Sequence, residues 1–350
     1  MNGQYPHTAR KILIRAVNWL GDAVMTTPAL QAVRETFPDA EITILANPLV
    51  SQLLFRHPAI DRVLTFERNG KHGGSAGRLR LAIELRRERF DLALILPNSF
   101  DSALIPFLAG IPKRLGKAAD GRSLLLTDRY QEPRQASELH EVQYYRNLLG
   151  HFGITGTAET PFLFVTPEED RKATLFLAEQ GIDTREPLLG INAGATFGSA
   201  KRWYPERFAQ VARQLSQEWG ARIILFGGPD EQDIVKIIAD NLDGACINLA
   251  GKTSVRRLMA LIKRCNFFIT NDSGPMHIAA AFGVPLVAVF GPTDHSGTAP
   301  CSGRAVIVRQ ATDCAPCKLR HCPVDHRCMT AISVDEVLAA ARTLWQKETS

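Results

Sequence analysis

The sequence predicts an α/β protein built from two doubly wound parallel sheets. Short apolar runs of strand length alternate along the chain with amphipathic stretches of about 10 to 15 residues, the pattern of parallel strands joined by helices. The alternation stops at a polar stretch near the middle of the chain and then restarts. Because 350 residues exceed what a single hydrophobic core usually serves, we expect two domains.

The first half contains four apolar runs that are typical of buried strands. They are Lys11–Val17, Glu41–Ala46, Arg62–Phe66 and Leu92–Leu96. Apolar residues at helical spacing predict helices at Ala23–Phe37, Arg78–Arg89 and around His140–Phe152. The polar residues Gly153–Thr160, followed by prolines, indicate a linker.

The second half repeats this order of elements. Strands are expected at Leu188–Asn192, Arg222–Phe226, Ile247–Leu249, Phe267–Thr270 and Leu286–Phe290. Helices are expected at Pro205–Trp219, Asp230–Asn241 and Ser254–Arg264. We therefore expect Rossmann-like domains at residues 1–160 and 161–333, followed by a helical segment at 334–350. Ligands of such sheets bind at the carboxyl ends of the strands, so both domains can offer loops to a cleft between them.

The composition is that of an ordinary globular protein, with 45% hydrophobic and 22% charged residues. No apolar run reaches the roughly 18 residues of a membrane-spanning helix, and residues 1–10 lack the apolar stretch of a signal peptide. A cytoplasmic protein is therefore expected. The formal net charge of +5 fits an anionic substrate or membrane surface, whereas no motif predicts a nucleic-acid partner. No pattern indicates the oligomeric state.

The segment after the apolar run Cys265–Thr270 carries the strongest functional signal. Asp272, Ser273 and Gly274 open a short helix there. Backbone N–H groups, the positive end of the helix dipole and a glycine that permits close approach together favour an anion such as a diphosphate. Asp272 is itself an anion, so we expect it to orient the loop or to meet a hydroxyl or ammonium group. His277, one turn further, is expected to contact phosphate or sugar, although a single helical histidine is more often structural.

The first strand-to-helix turn, residues 15–22, differs from a dinucleotide-binding turn. It has only Gly21 where that turn has the pattern G-x-G-x-x-G, which weighs against a nicotinamide or flavin enzyme. Asp22 stands at the predicted helix start, where the dipole keeps a carboxylate ionised and able to accept a proton from a substrate hydroxyl. The alternative is that Asp22 only caps the helix.

Two loops of the second half hold further candidates. After the strand Leu188–Asn192 come the hydroxyl of Thr196 and the cation Lys201, which can neutralise a leaving diphosphate. A Gly-Gly turn after the next strand leads to Asp230 and Glu231, either of which can accept hydrogen bonds from a sugar or ribose. The alternatives are a solvated loop in the first case and helix capping in the second.

Four of the seven cysteines, Cys314, Cys317, Cys322 and Cys328, lie close together near the C-terminus. The first two have the Cys-x-x-Cys spacing of zinc ligands, but five residues separate the second two, which is not a standard zinc spacing. A structural metal, a redox-active pair and a loop of reduced thiols all stay open. We expect these cysteines to take no part in the reaction.

Several short motifs resemble the ADP-heptose:lipopolysaccharide heptosyltransferases, glycosyltransferase family 9. In order along essentially the whole chain, they are Leu20–Asp22, Thr26–Leu30, Ala200–Trp203, Asn271–His277 and Val289–Thr293. The cysteine-rich tail is similar to that of the heptosyltransferase II members. The resemblance implies a GT-B fold with an N-terminal domain for the acceptor and a C-terminal domain for ADP-heptose. It also implies a final helix that crosses back to the first domain, and no metal or other cofactor.

The resemblance also implies roles for particular residues. The family's catalytic Asp corresponds to Asp22 and its diphosphate-neutralising Lys to Lys201. Its donor-binding positions correspond to Thr196, Glu231 (or Asp230 if the register shifts by one), Asp272, Ser273, Gly274 and His277. Phe197 stands where a second hydroxyl would follow Thr196. For the anionic acceptor, the candidates in the first half are Gly21, Arg68, Lys71, Arg78 and Arg122.

The implied reaction transfers L-glycero-D-manno-heptose, with inversion, from ADP-heptose to heptosyl-Kdo2-lipid A at the cytoplasmic face of the inner membrane. Asp22 would take the proton from the acceptor hydroxyl, while Lys201 and the helix start after Asp272 stabilise the departing ADP. Three alternatives stay open: a different core acceptor, as in heptosyltransferases I and III, a sugar-nucleotide epimerase, and a binding protein without catalysis.

Overall fold

The computed structural model describes residues 8–132, 139–183 and 185–349. Contacts divide the chain into two compact units, Met1–Phe164 and Val165–Ser350. The boundary lies a few residues beyond the linker that the sequence indicates. Within the described residues, no helix is both long enough and apolar enough to cross a bilayer.

The first unit has a six-stranded parallel sheet in the order β3-β2-β1-β4-β5-β6. Its strands are β1 (Lys11–Arg15), β2 (Glu41–Ala46), β3 (Arg62–Thr65), β4 (Leu92–Ile95), β5 (Lys113–Lys117) and β6 (Asp128–Tyr130). Helices cover both faces, which explains why β1, β2 and β4 are almost continuously apolar. The sequence analysis missed β5 and β6, whose charged residues near one edge of the sheet conceal the strand pattern.

The helices of this unit pack around the sheet. They are α1 (Leu20–Met25), α2 (Thr27–Thr36), α3 (Pro48–Leu53), α4 (Gly74–Glu88), α5 (Phe100–Leu108) and α6 (Glu141–Gly150). The single helix expected at Ala23–Phe37 is divided at Thr26. Pro28 has no N–H and disfavours helical backbone in the residue before it, and the Thr26 and Thr27 hydroxyls donate to carbonyls of α1.

The second unit has a parallel sheet in the order β12-β11-β10-β7-β8-β9. Its strands are β7 (Leu188–Asn192), β8 (Arg222–Phe226), β9 (Cys246–Asn248), β10 (Phe267–Asn271), β11 (Leu286–Val289) and β12 (Ala305–Val308). When the strands are counted within the unit, this is the same topology as in the first sheet. In both units the chain order reverses beside the first strand, at the β1–β4 and β7–β10 junctions.

The helices of the second unit complete its two covering layers. They are α7 (Pro167–Glu179), α8 (Pro205–Trp219), α9 (Gln232–Asn241), α10 (Val255–Ile262), α11 (Gly274–Ala281), α12 (His295–Thr298), α13 (Arg327–Thr330) and α14 (Val334–Thr349). The final helix α14 packs against α8, β11 and β12. Trp345 of α14 stacks on Trp219 of α8 with ring centroids 4.4 Å apart. This helix is therefore part of the second unit, and its crossing back to the first domain stays a prediction.

Candidate active site

The polar residues of the second unit gather at the β7–β10 junction. Neighbouring connections leave in opposite directions at such a reversal, so a crevice opens at the carboxyl ends of the two strands. Asn192 ends β7, and its Nδ2 donates to the Ser273 hydroxyl over 3.1 Å, just beyond the end of β10. Asn271, the last residue of β10, donates through Nδ2 to the Ala193 carbonyl at 2.7 Å. These two amides join the loop after β7 to the loop after β10.

Lys201 and Asp272 form an ion pair at this junction. Lys201 Nζ lies 2.6 Å from Asp272 Oδ2, and the side chains are only 13% and 4% exposed. The Thr293 hydroxyl donates to the same oxygen at 2.6 Å. Asp272 thus meets an ammonium and a hydroxyl group of the protein itself, and its contact with the donor stays a prediction. Because an ammonium group has three donors, Lys201 can still donate to a phosphate oxygen while Asp272 holds it.

The N-cap residue of α11 makes no side-chain hydrogen bond to the backbone at the start of this helix. Ser273 is that residue, but its hydroxyl contacts Asn192 and Thr270 instead of the helix backbone. Pro275 has no N–H and the Met276 N–H donates to the Ser273 carbonyl at 3.1 Å, so this start offers an anion the Gly274 N–H and the positive end of the helix dipole. Gly274 is the first residue of α11, as the sequence predicted. His277 is buried on this helix, and its contact with phosphate or sugar stays a prediction.

Glu231 is a buried carboxylate between the loops after β7 and β8. It is 6% exposed, and its Oε2 accepts from the Gly228 N–H at 2.7 Å. Its Oε1 is buried without a hydrogen-bond partner among the described residues. A Cβ built on Gly194 would lie 2.0 Å from Glu231 Oε2, so any side chain at position 194 would have to displace this carboxylate. An unpaired buried oxygen is costly, and a ligand hydroxyl could satisfy it. Asp230 is exposed, so the geometry favours Glu231 over Asp230.

Phe197 has a role that the sequence analysis missed. Its ring centroid lies 4.9 Å from Lys201 Nζ, a cation–π geometry that helps to hold the ammonium. The neighbouring Thr196 lies in the same turn and is exposed. Its contact with the donor stays a prediction. Phe197 therefore offers no second hydroxyl to the donor, but its ring contacts the Lys201 ammonium.

In the first unit, Asp22 lies in the first turn of α1 and is half-buried. The N-cap residue is Trp19, so the alternative that Asp22 merely caps the helix is wrong. Helix α6 packs against α1 and begins with Glu141. Burial, and next the negative charge of Asp22, raise the pKa of Glu141 to about 7. No local pattern predicts Glu141, because its proximity to Asp22 depends on how the two helices pack.

The acceptor candidates of the first unit differ in their surroundings. Gly21 is half-buried in α1, and Arg68 and Lys71 are exposed. Lys71 lines a cavity of about 320 Å³. Arg78 pairs with Asp101 at 2.5 Å. Among these, the two exposed cations are best placed to meet an anion from solvent.

Arg122 is fully buried, which differs from the acceptor contact expected of it. Its Nε donates to the Lys117 carbonyl at 2.9 Å and one terminal nitrogen donates to the Ser102 hydroxyl, also at 2.9 Å. These bonds tie the segment after β5, which carries Arg122, to the end of β5 and to the first turn of α5. The described geometry therefore gives Arg122 a structural role.

Arg15, at the end of β1, is a second buried arginine and was not anticipated. Burial lowers its pKa to about 10, while the Asp101 charge opposes that change. The guanidinium donates to the Ala16 carbonyl at 2.7 Å and lies 5.2 Å from the Phe66 ring centroid. Its Nε is buried without a partner among the described residues. Arg15 and Arg78 thus bring two guanidinium groups to one carboxylate at the β1–β4 junction.

The cysteine cluster is close in space as well as in sequence. Burial raises the pKa of Cys328, and the negative charges of the neighbouring thiolates raise it further. These thiols are Cys314, Cys317 and Cys322. All four thiols are free. In the ranges that the structure describes, no group of three or more His, Cys, Asp or Glu side chains is arranged to hold a metal ion.

Comparison with known proteins decides the family. Residues 78–327 match the model of glycosyltransferase family 9 (heptosyltransferase). The chain belongs to glycosyltransferase family 9. It is 34% identical over 312 residues to lipopolysaccharide heptosyltransferase 2 of Salmonella typhimurium, which covers 86% of this chain and 88% of the relative. Identity to lipopolysaccharide heptosyltransferase 3 of Escherichia coli is 26% over 295 residues, covering 82% of this chain and 85% of the relative.

Solved structures of family 9 members show the same fold. The structure of E. coli ADP-heptose lps heptosyltransferase II matches with a TM-score of 0.81 and 31% identity, covering 97% of this chain and all of the other. A glycosyl transferase family 9 structure from Veillonella parvula matches with a TM-score of 0.89 and 27% identity, over 97% and 98% of the chains. The predicted GT-B fold and the predicted family are thus confirmed, and the protein is a glycosyltransferase of the heptosyltransferase II type.

Proposed function

We propose that this glycosyltransferase moves heptose from ADP-heptose to the lipopolysaccharide inner core, with heptosyl-Kdo2-lipid A as acceptor. The observation that carries the proposal is the Lys201–Asp272–Thr293 arrangement at the β7–β10 junction. The chain also has a higher sequence identity to heptosyltransferase 2 than to heptosyltransferase 3. Family membership favours transfer over epimerisation or binding alone.

The second unit has the groups that a nucleotide diphosphate needs. Lys201 supplies a cation held by Asp272, and the start of α11 supplies the Gly274 N–H and the positive end of the helix dipole for phosphate oxygens. Glu231 has an open oxygen for a hydroxyl of the ribose or sugar. Negative charge grows on ADP as the anomeric bond breaks, so Lys201 stabilises the transition state more than the bound donor.

The first unit supplies the proton acceptor. Asp22 takes the proton of the acceptor hydroxyl, whose oxygen then attacks the anomeric carbon with inversion. The Glu141 carboxyl group lies beside it. Two neighbouring carboxyl groups favour binding a proton, because this reduces the repulsion between their negative charges, and that suits a base. Arg68 and Lys71 serve the anionic acceptor. We further propose that the enzyme works in the cytoplasm, at the cytoplasmic face of the inner membrane, without a metal.

The decisive experiment is mass spectrometry of reactions with ADP-heptose and three acceptors: Kdo2-lipid A, its mono-heptosylated form and its di-heptosylated form. One added heptose on the mono-heptosylated acceptor alone is expected. If heptose is transferred only to one of the other two acceptors, the protein has the activity of another member of the family and not that of heptosyltransferase II. Conversion of ADP-heptose to an epimer, or tight binding without turnover, would reject transfer itself.

A further inference from the structure

The cysteine-rich segment, defined here as residues 314–332, packs on the loop that carries Lys201. The Ala200 N–H donates to the Arg320 carbonyl at 3.0 Å, and the Ala200 carbonyl lies 2.7 Å from His326 Nε2. Both backbone polar groups of the residue before Lys201 are therefore bound by this segment. A Cβ on Gly198 would lie 2.2 Å from the Arg320 carbonyl oxygen, which shows how closely the two backbones approach.

Side chains reinforce the same contact. The Ser199 hydroxyl lies 2.9 Å from His321 Nδ1. The Arg320 guanidinium lies 5.4 Å from the Phe197 ring centroid, and the Lys201 ammonium lies 4.9 Å from the same centroid. The segment therefore reaches the aromatic ring that helps to hold the Lys201 ammonium.

The segment also contacts the loop that follows β11. The Lys318 N–H donates to the Pro292 carbonyl at 2.8 Å, and a Cβ on Gly291 would lie 3.1 Å from Cys328 Sγ. Thr293 follows directly and donates to Asp272. Both loops whose side chains donate to Asp272 are thus fastened to one segment of the chain.

His326 is fixed in an uncommon backbone conformation. Its φ is 55°, in the left-handed region that most residues avoid. Its N–H donates to Cys322 Sγ at 3.3 Å, and its carbonyl accepts from the Met329 and Thr330 N–H groups of α13. These contacts restrict the backbone of His326, and from this position its ring nitrogen reaches the Ala200 carbonyl.

We propose that His326 is a positioning residue for Lys201, and that the cysteine-rich segment keeps the Lys201 ammonium on Asp272, ready for the departing diphosphate. His326 does not touch the reacting atoms. It acts by holding the Ala200 carbonyl, which fixes the start of the Lys201 side chain. The catalytic effect of this contact rests on the proposed function of Lys201.

Two substitutions at position 326 separate positioning from folding. Asn tolerates the left-handed conformation but is too short to reach Ala200, whereas Gln has an amide nitrogen at about the reach of His Nε2. We expect His326→Asn to lower kcat about 10- to 100-fold, the range that a small misplacement can cost, with less change in KM for ADP-heptose. His326→Gln should recover most of the loss. Arg342→Ala, which removes an exposed ion pair to Glu218 in the same unit, is the control and should leave kcat unchanged.

A double-mutant comparison tests whether His326 acts through Lys201. In a Lys201→Ala background, His326→Asn should cause little further loss of kcat, because its target is gone. Equal losses in both backgrounds would overturn the proposal, and so would full activity of His326→Asn when Lys201→Ala is impaired. If instead Lys201→Ala keeps full turnover, the proposed function of Lys201 fails.

A measurement without turnover tests the positioning itself. Competitive acylation of the unliganded protein, followed by peptide mass spectrometry, reports the reactivity of the Lys201 amine. We expect His326→Asn to raise Lys201 acylation several-fold and His326→Gln to leave it near that of the unsubstituted protein, with thermal unfolding recorded for both. Unchanged Lys201 reactivity in a folded His326→Asn variant would overturn the proposal whatever the activity shows.

Discussion

The two units share one strand order, yet the groups that we propose to react have neighbours of opposite kinds of charge. In the second unit, the ammonium of Lys201 lies 2.6 Å from the carboxylate of Asp272, so a cation has an anion as its neighbour. In the first unit, Asp22 has another carboxyl group as its neighbour, Glu141, whose pKa is raised to about 7. A charge that must persist throughout a reaction benefits from an opposite partner, whereas a group that must gain a proton benefits from a like one. The same topology can therefore serve two chemical tasks.

The strongest test of this contrast is Asp22→Asn. Removing the proton acceptor while keeping the side-chain shape should lower kcat by roughly 10²- to 10⁴-fold, the usual size of a general-base contribution. The fold and ADP-heptose binding should persist, because Asp22 belongs to the first unit. Single-turnover rates, calorimetry with the donor and thermal unfolding measure the three quantities. Turnover near that of the unsubstituted enzyme would remove Asp22 from the mechanism.

Lys201→Ala tests the oppositely charged partner. We expect a loss of kcat of about 10²- to 10³-fold, as for other single donors to developing negative charge, with a smaller loss of donor affinity. The matched control is Lys236→Ala, which removes an exposed lysine that pairs with Asp240 on α9. If calorimetry shows weaker donor binding while kcat is unchanged, Lys201 only binds the donor.

Gly194→Ala probes the packing that supports the donor side. A Cβ at this position would lie 2.0 Å from Glu231 Oε2, so the carboxylate or the β7 loop must move. We expect a loss of about 1–3 kcal/mol in the free energy of unfolding, the usual cost of overpacking, together with weaker donor binding. Gly150→Ala is the control, because nothing lies within 4 Å of a Cβ there. Equal unfolding midpoints for the two variants would contradict the close packing at Gly194.

The sequence predicted the ends of five strands of the second unit to within one residue, because local patterns mark them, but it missed β12. An apolar run that ends in Asn271 and Asp272 before a glycine-led helix is readable without a structure. The first unit was less readable. Strands β5 and β6 are charged, and the break at Thr26 depends on hydroxyl–carbonyl bonds within a continuous helical pattern.

Contacts between distant parts of the chain could not be predicted in the same way. The cation candidates of the first unit were chosen by sign of charge alone, which does not distinguish the exposed Arg68 from the buried Arg122. The approach of Gly194 to Glu231 and that of His326 to Ala200 arise from loops that the sheet brings together. A single sequence has no periodic signal for such pairs.

The smallest expected effect is the pH dependence of stability, which isolates Glu141. Burial and the charges of Asp22 and Glu132 raise its pKa to about 7, whereas a hydrogen bond with Tyr145 and the charge of Lys117 oppose the rise. The ordinary pKa of a glutamate side chain is 4.5, so the folded state holds the proton more tightly than the unfolded chain does. The resulting stabilisation is complete below about pH 4.5 and is lost as the pH rises to about 7.

Glu141→Gln should remove this dependence, because Gln does not titrate. The unsubstituted protein should lose free energy of unfolding relative to Glu141→Gln between pH 5 and pH 7, by at most about 1.4 kcal/mol for each pH unit, with no further relative change above about pH 8. Urea unfolding at pH 5, 6, 7 and 8 measures the difference. Glu159→Gln is the matched control, since it removes a carboxylate of the same unit whose side chain is 78% exposed. A constant difference between Glu141→Gln and the unsubstituted protein across this range would mean that Glu141 has no raised pKa, and the contrast between like and opposite charges in the two units would then fail.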